Sequence, residues 1–128
     1  MSVFQAVRDA VNSITDVHGK VYHATALKNA SAPFVFWVQT GERYEQTLEG
    51  RTELGEDQYE IHIVTKNLEA LDGISAQTRT AVEALQGSTV NGIRYERIQL
   101  MQISPVIDER EVNLYRKVYE LTINYQEE

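Results

Sequence analysis

The sequence predicts an α+β fold, with a mostly antiparallel sheet of four to six strands and two helices packed on one face. Two segments, residues 2–14 and 67–86, place apolar residues at the three- and four-residue spacing of a helix. Several other runs are rich in β-branched and aromatic residues, which favour strands. Because two helices are too few to separate every strand, most neighbouring strands should be antiparallel. The 128 residues suit one domain covering the whole chain.

The first helix has a single apolar stripe. Its members are Val3, Phe4, Val7, Ala10, Val11 and Ile14. Ser2 followed by Gln5 fits a capping box, which predicts that the helix begins there. A short strand is expected around residues 20–24. The Asn, Ser and Pro residues of segment 28–33 predict a loop after it.

The strongest strand signal is "PFVFWVQTG", residues 33–41. Its apolar residues fall on both parities, so the prediction is a strand covered on both faces. Trp37 could alternatively face a partner subunit, since tryptophan is enriched at protein interfaces.

Residues 42–57 form an acidic segment with six acidic residues and two arginines, a net charge of −4, and with Gly50 and Gly55 inside it. We expect a long loop between two antiparallel strands, in which the carboxylates stay solvated. One interpretation is a plain solvated connection. Loops longer than about 12–15 residues are usually functional or disordered. The other interpretation is therefore a loop that docks on a neighbouring surface or, in a ring of identical subunits, repeats its negative charge around the axis. The candidate residues of this loop are Glu42, Arg43, Glu45, Leu48, Glu49, Arg51, Glu53 and Leu54.

Alternation in "QYEIHIVTK", residues 58–66, predicts a strand with Glu60 and His62 on one face and Tyr59, Ile61 and Ile63 on the other. The Glu60–His62 pair has two interpretations. It is either part of a solvated or subunit-facing surface, or part of a small metal-dependent hydrolase that adds a carboxylate of the acidic segment. A metal site needs at least a third ligand, and no recognisable spacing supplies one.

The second half of the chain is predicted to be a helix followed by three strands. Asn67 is the expected N-cap and Gly87 the expected end of the helix. Asn91-Gly92 between β-formers predicts a hairpin, continued by a strand at 94–103. The last strand, 112–125, should place one set of side chains together on one face: Tyr115, Lys117, Tyr119, Leu121, Ile123 and Tyr125.

Composition excludes several classes of protein. The chain has no cysteine, which excludes disulfides, thiolate metal sites and a cysteine nucleophile. A net charge of −7 disfavours nucleic-acid binding, which requires basic patches. No stretch reaches the roughly 20 apolar residues of a membrane span, and the first residues lack the pattern of a secretion signal.

Aromatic residues and arginines alternate near the end of the chain, a composition typical of protein–protein interfaces. The alternative for the tyrosines is that they line the edge of the core with their hydroxyls in water. The candidate residues for a subunit interface are Trp37, Arg94, Arg97, Tyr115 and Arg116.

The order of segments resembles a known family. The segments are "APFVFWVQTGERY", "YEIHIVTKNLEALDGISAQTRTAVEAL", "VNGIRYERIQLMQI" and "LYRKVYELTINY". Together they resemble the tail-completion, or tail-terminator, proteins of long-tailed bacteriophages. The resemblance implies an α+β subunit of a hexameric ring that caps the finished tail tube and stops its polymerisation. It implies no cofactor and no catalytic or metal-binding residues.

The resemblance also implies partners and a location. The partners would be further copies of the chain, the tail-tube protein and the connector or stopper protein on the head side. DNA would pass through the ring without specific binding, and the acidic segment 42–57 would line the lumen of the ring or dock on the tail tube. The protein would be made in the host bacterial cytoplasm and would end in the tail or neck of the virion. Other neck, head-closure or minor tail adaptor proteins remain the alternative.

Overall fold

The computed structural model describes residues 3–26, 31–47, 50–109 and 114–127, and it describes residues 26, 44–47, 50–53 and 109 by their backbone. The helices are α1, Phe4–Asn12, and α2, Leu68–Glu83. Short 3-10 turns cover Thr15–Val17 and Ala24–Ala26. The strands, in chain order, are β1 Val21–His23, β2 Phe34–Thr47, β3 Gly50–Thr65, β4 Thr89–Val90, β5 Ile93–Gln102, β6 Ile107–Glu109 and β7 Leu114–Glu127.

The seven strands of the described residues belong to one sheet, in the order β1-β2-β3-β7-β5-β4, with β6 paired to the start of β7. The predicted α+β fold is confirmed. Every pair is antiparallel except β1 and β2, which run parallel and make the sheet mixed. The ten residues between these two strands give the chain room to return and enter β2 in the same direction as β1.

Helix α1 packs its apolar stripe against the sheet. Phe4, Val7 and Val11 are buried, and the Phe4 ring stacks on Trp37 with the ring centroids 4.1 Å apart. The helix begins after Val3, which makes no side-chain cap. The predicted cap at Ser2 lies outside the described residues.

Helix α2 begins as predicted. The Asn67 side chain accepts a hydrogen bond from the Ala70 amide at 2.7 Å, which satisfies one of the unpaired donors of the first turn. After the helix the chain turns at Gly87, where φ is +84°, a conformation that glycine adopts readily. Asn91 and Gly92 also have positive φ, at 51° and 80°, so the predicted hairpin is the tight β4–β5 turn.

The core lies between the helices and one face of the sheet. On the last strand, Tyr119, Leu121, Ile123 and Tyr125 are buried, as the alternating pattern predicts. The other core side chains from the sheet are Val21, Val35, Tyr59, Ile61, Ile63, Ile93, Tyr95, Ile98 and Leu100.

The acidic segment 42–57 is not a loop. Strands β2 and β3 continue through it as one hairpin, in which Arg43 lies opposite Glu56 and Thr47 opposite Gly50. Its glycines and charges hide the strand signal in the sequence. The ladder nevertheless continues because β7 pairs with β3 as far as Leu54 and so extends the sheet into this segment. The two residues between the strands, Leu48 and Glu49, lie outside the described residues.

Candidate functional site

The candidate site is the face of the sheet opposite the helices, here called the helix-free face. Side chains alternate between the faces of a strand, and both helices lie on the face that carries Trp37, Ile61 and Leu121. Among the described residues, no helix covers the other face. The strand registers then divide that face into an apolar half and a polar half.

The apolar half consists of three cross-strand rows. They are Phe34, Val64, Arg116 and Ile107; then Tyr22, Phe36, His62 and Val118; then Val38, Glu60, Glu120 and Met101. Met101 is 58% exposed, and the connection between β5 and β6 adds the exposed apolar side chains of Ile103 and Val106. The rows also carry Arg116, Glu60 and Glu120. Together with this connection they place half-buried rings and the exposed Met101, Ile103 and Val106 on one face of the sheet.

An aromatic ladder lies within the apolar half. The Phe36 ring stacks on the His62 imidazole, with centroids 4.3 Å apart and planes 13° apart. Phe34 stacks on Phe36 at 6.2 Å, and Tyr22 meets Phe34 edge-on at 6.3 Å. These rings are half-buried. Because they support one another, they present a preformed surface of the kind enriched at protein interfaces.

The Glu60–His62 pair belongs to this surface. His62 Nε2 lies 3.0 Å from Glu60 Oε1. Burial lowers the pKa of His62, and the nearby Arg116 lowers it further, although the bond to Glu60 opposes both. The imidazole is therefore neutral at pH 7 and donates its N–H to the carboxylate. Within the described part of the chain, no three His, Cys, Asp or Glu side chains are grouped so as to hold a metal ion.

The polar half lies towards the far end of the β2–β3 hairpin. Arg43 pairs with Glu56 at 2.8 Å and Arg94 with Glu96 at 3.0 Å. A cleft of about 490 Å³ opens here, lined by Arg43, Leu54, Gly55, Glu56, Glu96, Asn124 and Tyr125. Since the charges on its walls are paired, the cleft has no concentrated charge of either sign.

The five candidate interface residues do not form one surface. Arg94, Arg97 and Arg116 lie on the helix-free face, the first two in the polar half and the third in the apolar half. Trp37 and Tyr115 lie on the helix side and pack against the core.

The candidate residues of the acidic segment lie along the hairpin. Glu42 and Arg43 are exposed, and Leu54 is 39% exposed. Glu45, Arg51 and Glu53 are described by their backbone only, in the last part of the hairpin. Leu48 and Glu49 lie outside the described residues.

Asp57 is the polar residue that the sequence analysis missed. We expected the carboxylates of the acidic segment to be solvated, and for Asp57 this is wrong because it is only 4% exposed. Its Oδ2 accepts a hydrogen bond from the Tyr59 hydroxyl at 2.7 Å. Burial raises the pKa of Asp57, and burial also raises the pKa of Tyr59. The sequence did carry a signal for this burial. Asp57 stands two and four residues before Tyr59 and Ile61, so it lies on the same face of the strand as these buried side chains.

Comparisons with known proteins bear on the fold. No protein-family model and no curated protein sequence matches the chain. Among solved structures, a chain of a structure described as the "virion of native gene transfer agent (GTA) particle" matches with a TM-score of 0.60 and 13% sequence identity. The match covers 98% of this chain and 95% of that one.

The chain shares the fold of that virion chain. At this identity the similarity establishes the fold alone, over nearly the full length of both chains. None of the described helices is both long enough and apolar enough to span a membrane.

Proposed function

We propose that this protein is a structural component of a phage-like virion and that it acts as a ring-forming tail terminator. Six copies form a ring that caps the tail tube, stops its polymerisation and joins the tail to the connector on the head side. The protein acts through its shape and self-association, without a cofactor and without catalysis.

One observation carries this proposal, the exposed apolar half of the helix-free face. Large exposed apolar surfaces on a folded chain mark sites of association. Here the surface crosses four strands and the connection after β5, from Phe36 on β2 to Met101 on β5. The fold shared with a chain of a gene transfer agent virion supports an assembly of this class.

The charge of the chain supports the same role. DNA must pass through a tail ring without being held. A net charge of −7 opposes the counterion release that drives proteins to bind DNA. Electrostatic repulsion from a negative ring would keep the passing duplex away from the wall.

The test is the mass of the purified protein, measured by native mass spectrometry and negative-stain electron microscopy, with and without its tail-tube protein. We expect six-membered rings, free or at tube ends. Met101→Asp should abolish the rings, because it replaces an exposed apolar side chain with a second carboxylate opposite Glu120. Gln77→Glu adds the same charge at an exposed position of α2 and should leave the rings intact.

Monomers under every condition, including at tube ends, would overturn the proposal. Rings that bind the connector but do not stop tube growth would instead indicate a neck or head-closure adaptor.

A further inference from the structure

The apolar half of the helix-free face contains two carboxylates side by side. Glu60 on β3 lies directly opposite Glu120 on β7, and the same row continues with the apolar Val38 and Met101. The Glu120 side chain forms no hydrogen bond or ion pair with any described residue. Like charges directly opposite one another destabilise a sheet. A cation supplied by another molecule would therefore relieve the repulsion between them.

The Glu60 carboxylate is held in place without being neutralised. His62 Nε2 lies 3.0 Å from Glu60 Oε1, and the imidazole is itself fixed by its stacking on Phe36. Because this histidine is neutral at pH 7, the bond orients the carboxylate and leaves its negative charge. Both Glu60 and Glu120 are partly exposed, so a side chain of another chain can reach them.

The turn between β3 and α2, residues 66–68, here called the β3–α2 turn, has the complementary character. Lys66 is exposed and forms no ion pair with any described residue. Leu68 is 49% exposed, although it is apolar and begins α2. The next residue, Glu69, is turned by about 100° around the helix. The turn thus presents a cation beside an exposed apolar side chain.

Hydrogen bonds on both sides of this turn fix its shape. The Thr65 hydroxyl donates to the Asn67 carbonyl at 2.7 Å, and the Asn67 side chain accepts from the Ala70 amide at 2.7 Å. A segment that is already ordered loses little conformational freedom when it binds. Lys66 stands six residues after Glu60, about 20 Å along the strand, so it cannot reach the carboxylate pair of its own chain.

We propose that the β3–α2 turn of one copy docks on the apolar half of the next copy, with Lys66 between Glu60 and Glu120 and Leu68 beside Met101. This inference rests on the proposed ring and assigns its subunit contact. The two surfaces are different and lie apart on the chain. The contact is therefore head-to-tail and can continue around a ring, whereas a contact between identical surfaces would stop at a dimer.

Zero-length cross-linking tests the contact directly. A water-soluble carbodiimide joins a carboxylate to a lysine amine only where the two groups meet. Assembled natural protein should give a Lys66–Glu60 or Lys66–Glu120 link, identified by peptide mass spectrometry. A mixture of isotope-labelled and unlabelled protein should show that the link joins two copies.

Lys66→Arg is the matched control for this link. The variant keeps the positive charge, but its guanidinium does not react with the carbodiimide. It should assemble like the natural protein and lose the link. Assembled natural protein that gives neither link would overturn the proposal.

A charge exchange provides the second test. Lys66→Glu should weaken association at least roughly tenfold, because it adds a third carboxylate to the pair. Glu120→Lys should weaken association as well, and both changes in one chain should restore it. Arg8→Glu, at an exposed position of α1, makes the same change of charge away from the contact and should have no effect.

The outcomes separate this contact from the proposed ring. If the natural protein forms rings while Lys66 gives no link and Lys66→Glu has no effect, the contact is wrong and the ring stands. If the link forms in an assembly that does not cap tail tubes, the contact stands and the proposed function is wrong. Monomers under every condition would overturn both.

Discussion

Tyr125 lies directly over Gly55, its cross-strand neighbour between β7 and β3. A Cβ atom at position 55 would lie 2.5 Å from Cζ and from the hydroxyl oxygen of Tyr125. The tyrosine is itself buried, so its ring has little room to move. Gly55 therefore allows the tyrosine to close the core at this end of the β3–β7 pair.

Gly55→Ala should destabilise the fold by about 1–3 kcal/mol, the usual cost of overpacking. Urea denaturation followed by circular dichroism measures it. Gly73→Ala is the matched control. An added Cβ at position 73 meets no described atom within 4 Å, and alanine is the better helix former. That variant should gain up to about 1 kcal/mol. Equal losses in both variants would contradict the close approach of Tyr125.

Asp57→Asn should change how stability depends on pH. Burial raises the pKa of Asp57 in the folded state above its ordinary value of 3.8. Folding therefore disfavours the charged form, and Asp57 costs stability progressively as pH rises from about 3.8 through the folded pKa. The asparagine variant lacks this cost.

The measurement is the free energy of unfolding of both proteins between pH 3 and pH 7. The variant should gain stability relative to the natural protein as pH rises. A difference between the two proteins that stays constant over this range would show that Asp57 is not desolvated.

Leu121→Ala and Phe36→Ala should separate core from interface. Leu121 is fully buried, so its truncation should cost about 2–5 kcal/mol of folding free energy. Phe36 is half-buried on the helix-free face, and its truncation should cost less in the monomer but weaken association. Unfolding curves and sedimentation of the two variants test this. If Phe36→Ala loses as much folding free energy as Leu121→Ala while association is unchanged, the Phe36 side chain serves the fold alone.

Asn67→Ala should cost about 0.5–2 kcal/mol, because it removes the acceptor for the Ala70 amide. Asn67→Asp retains a side-chain acceptor at the N-cap and should stay close to the natural protein in thermal unfolding. If both variants lose the same stability, the N-cap bond is not the source of the effect.

The sequence predicted those elements whose signal is local. The Asn67 side chain caps an amide three residues further on, and the Asn91-Gly92 turn acts through its own backbone. The alternation of β7 indicates which of its faces is buried. The extension of β2 and β3 through the acidic segment could not be predicted, because it depends on pairing with β7, far away in the chain.

The candidate site was predicted only in part. Tyr22, on β1, and Met101, on β5, lie on the same face of the sheet because of the strand order. No local sequence pattern reveals that order. Trp37 was left open between core and interface, and the stacking of Phe4 from α1 places it against the core.

The most direct test of the central claim is a cryo-electron microscopy reconstruction of the protein at the end of assembled tail tubes. The account predicts a ring in which Phe36 and Met101 are buried against a neighbouring chain. A ring in which this apolar half faces solvent, or a monomer that holds a small molecule against Glu60 and His62, would contradict it.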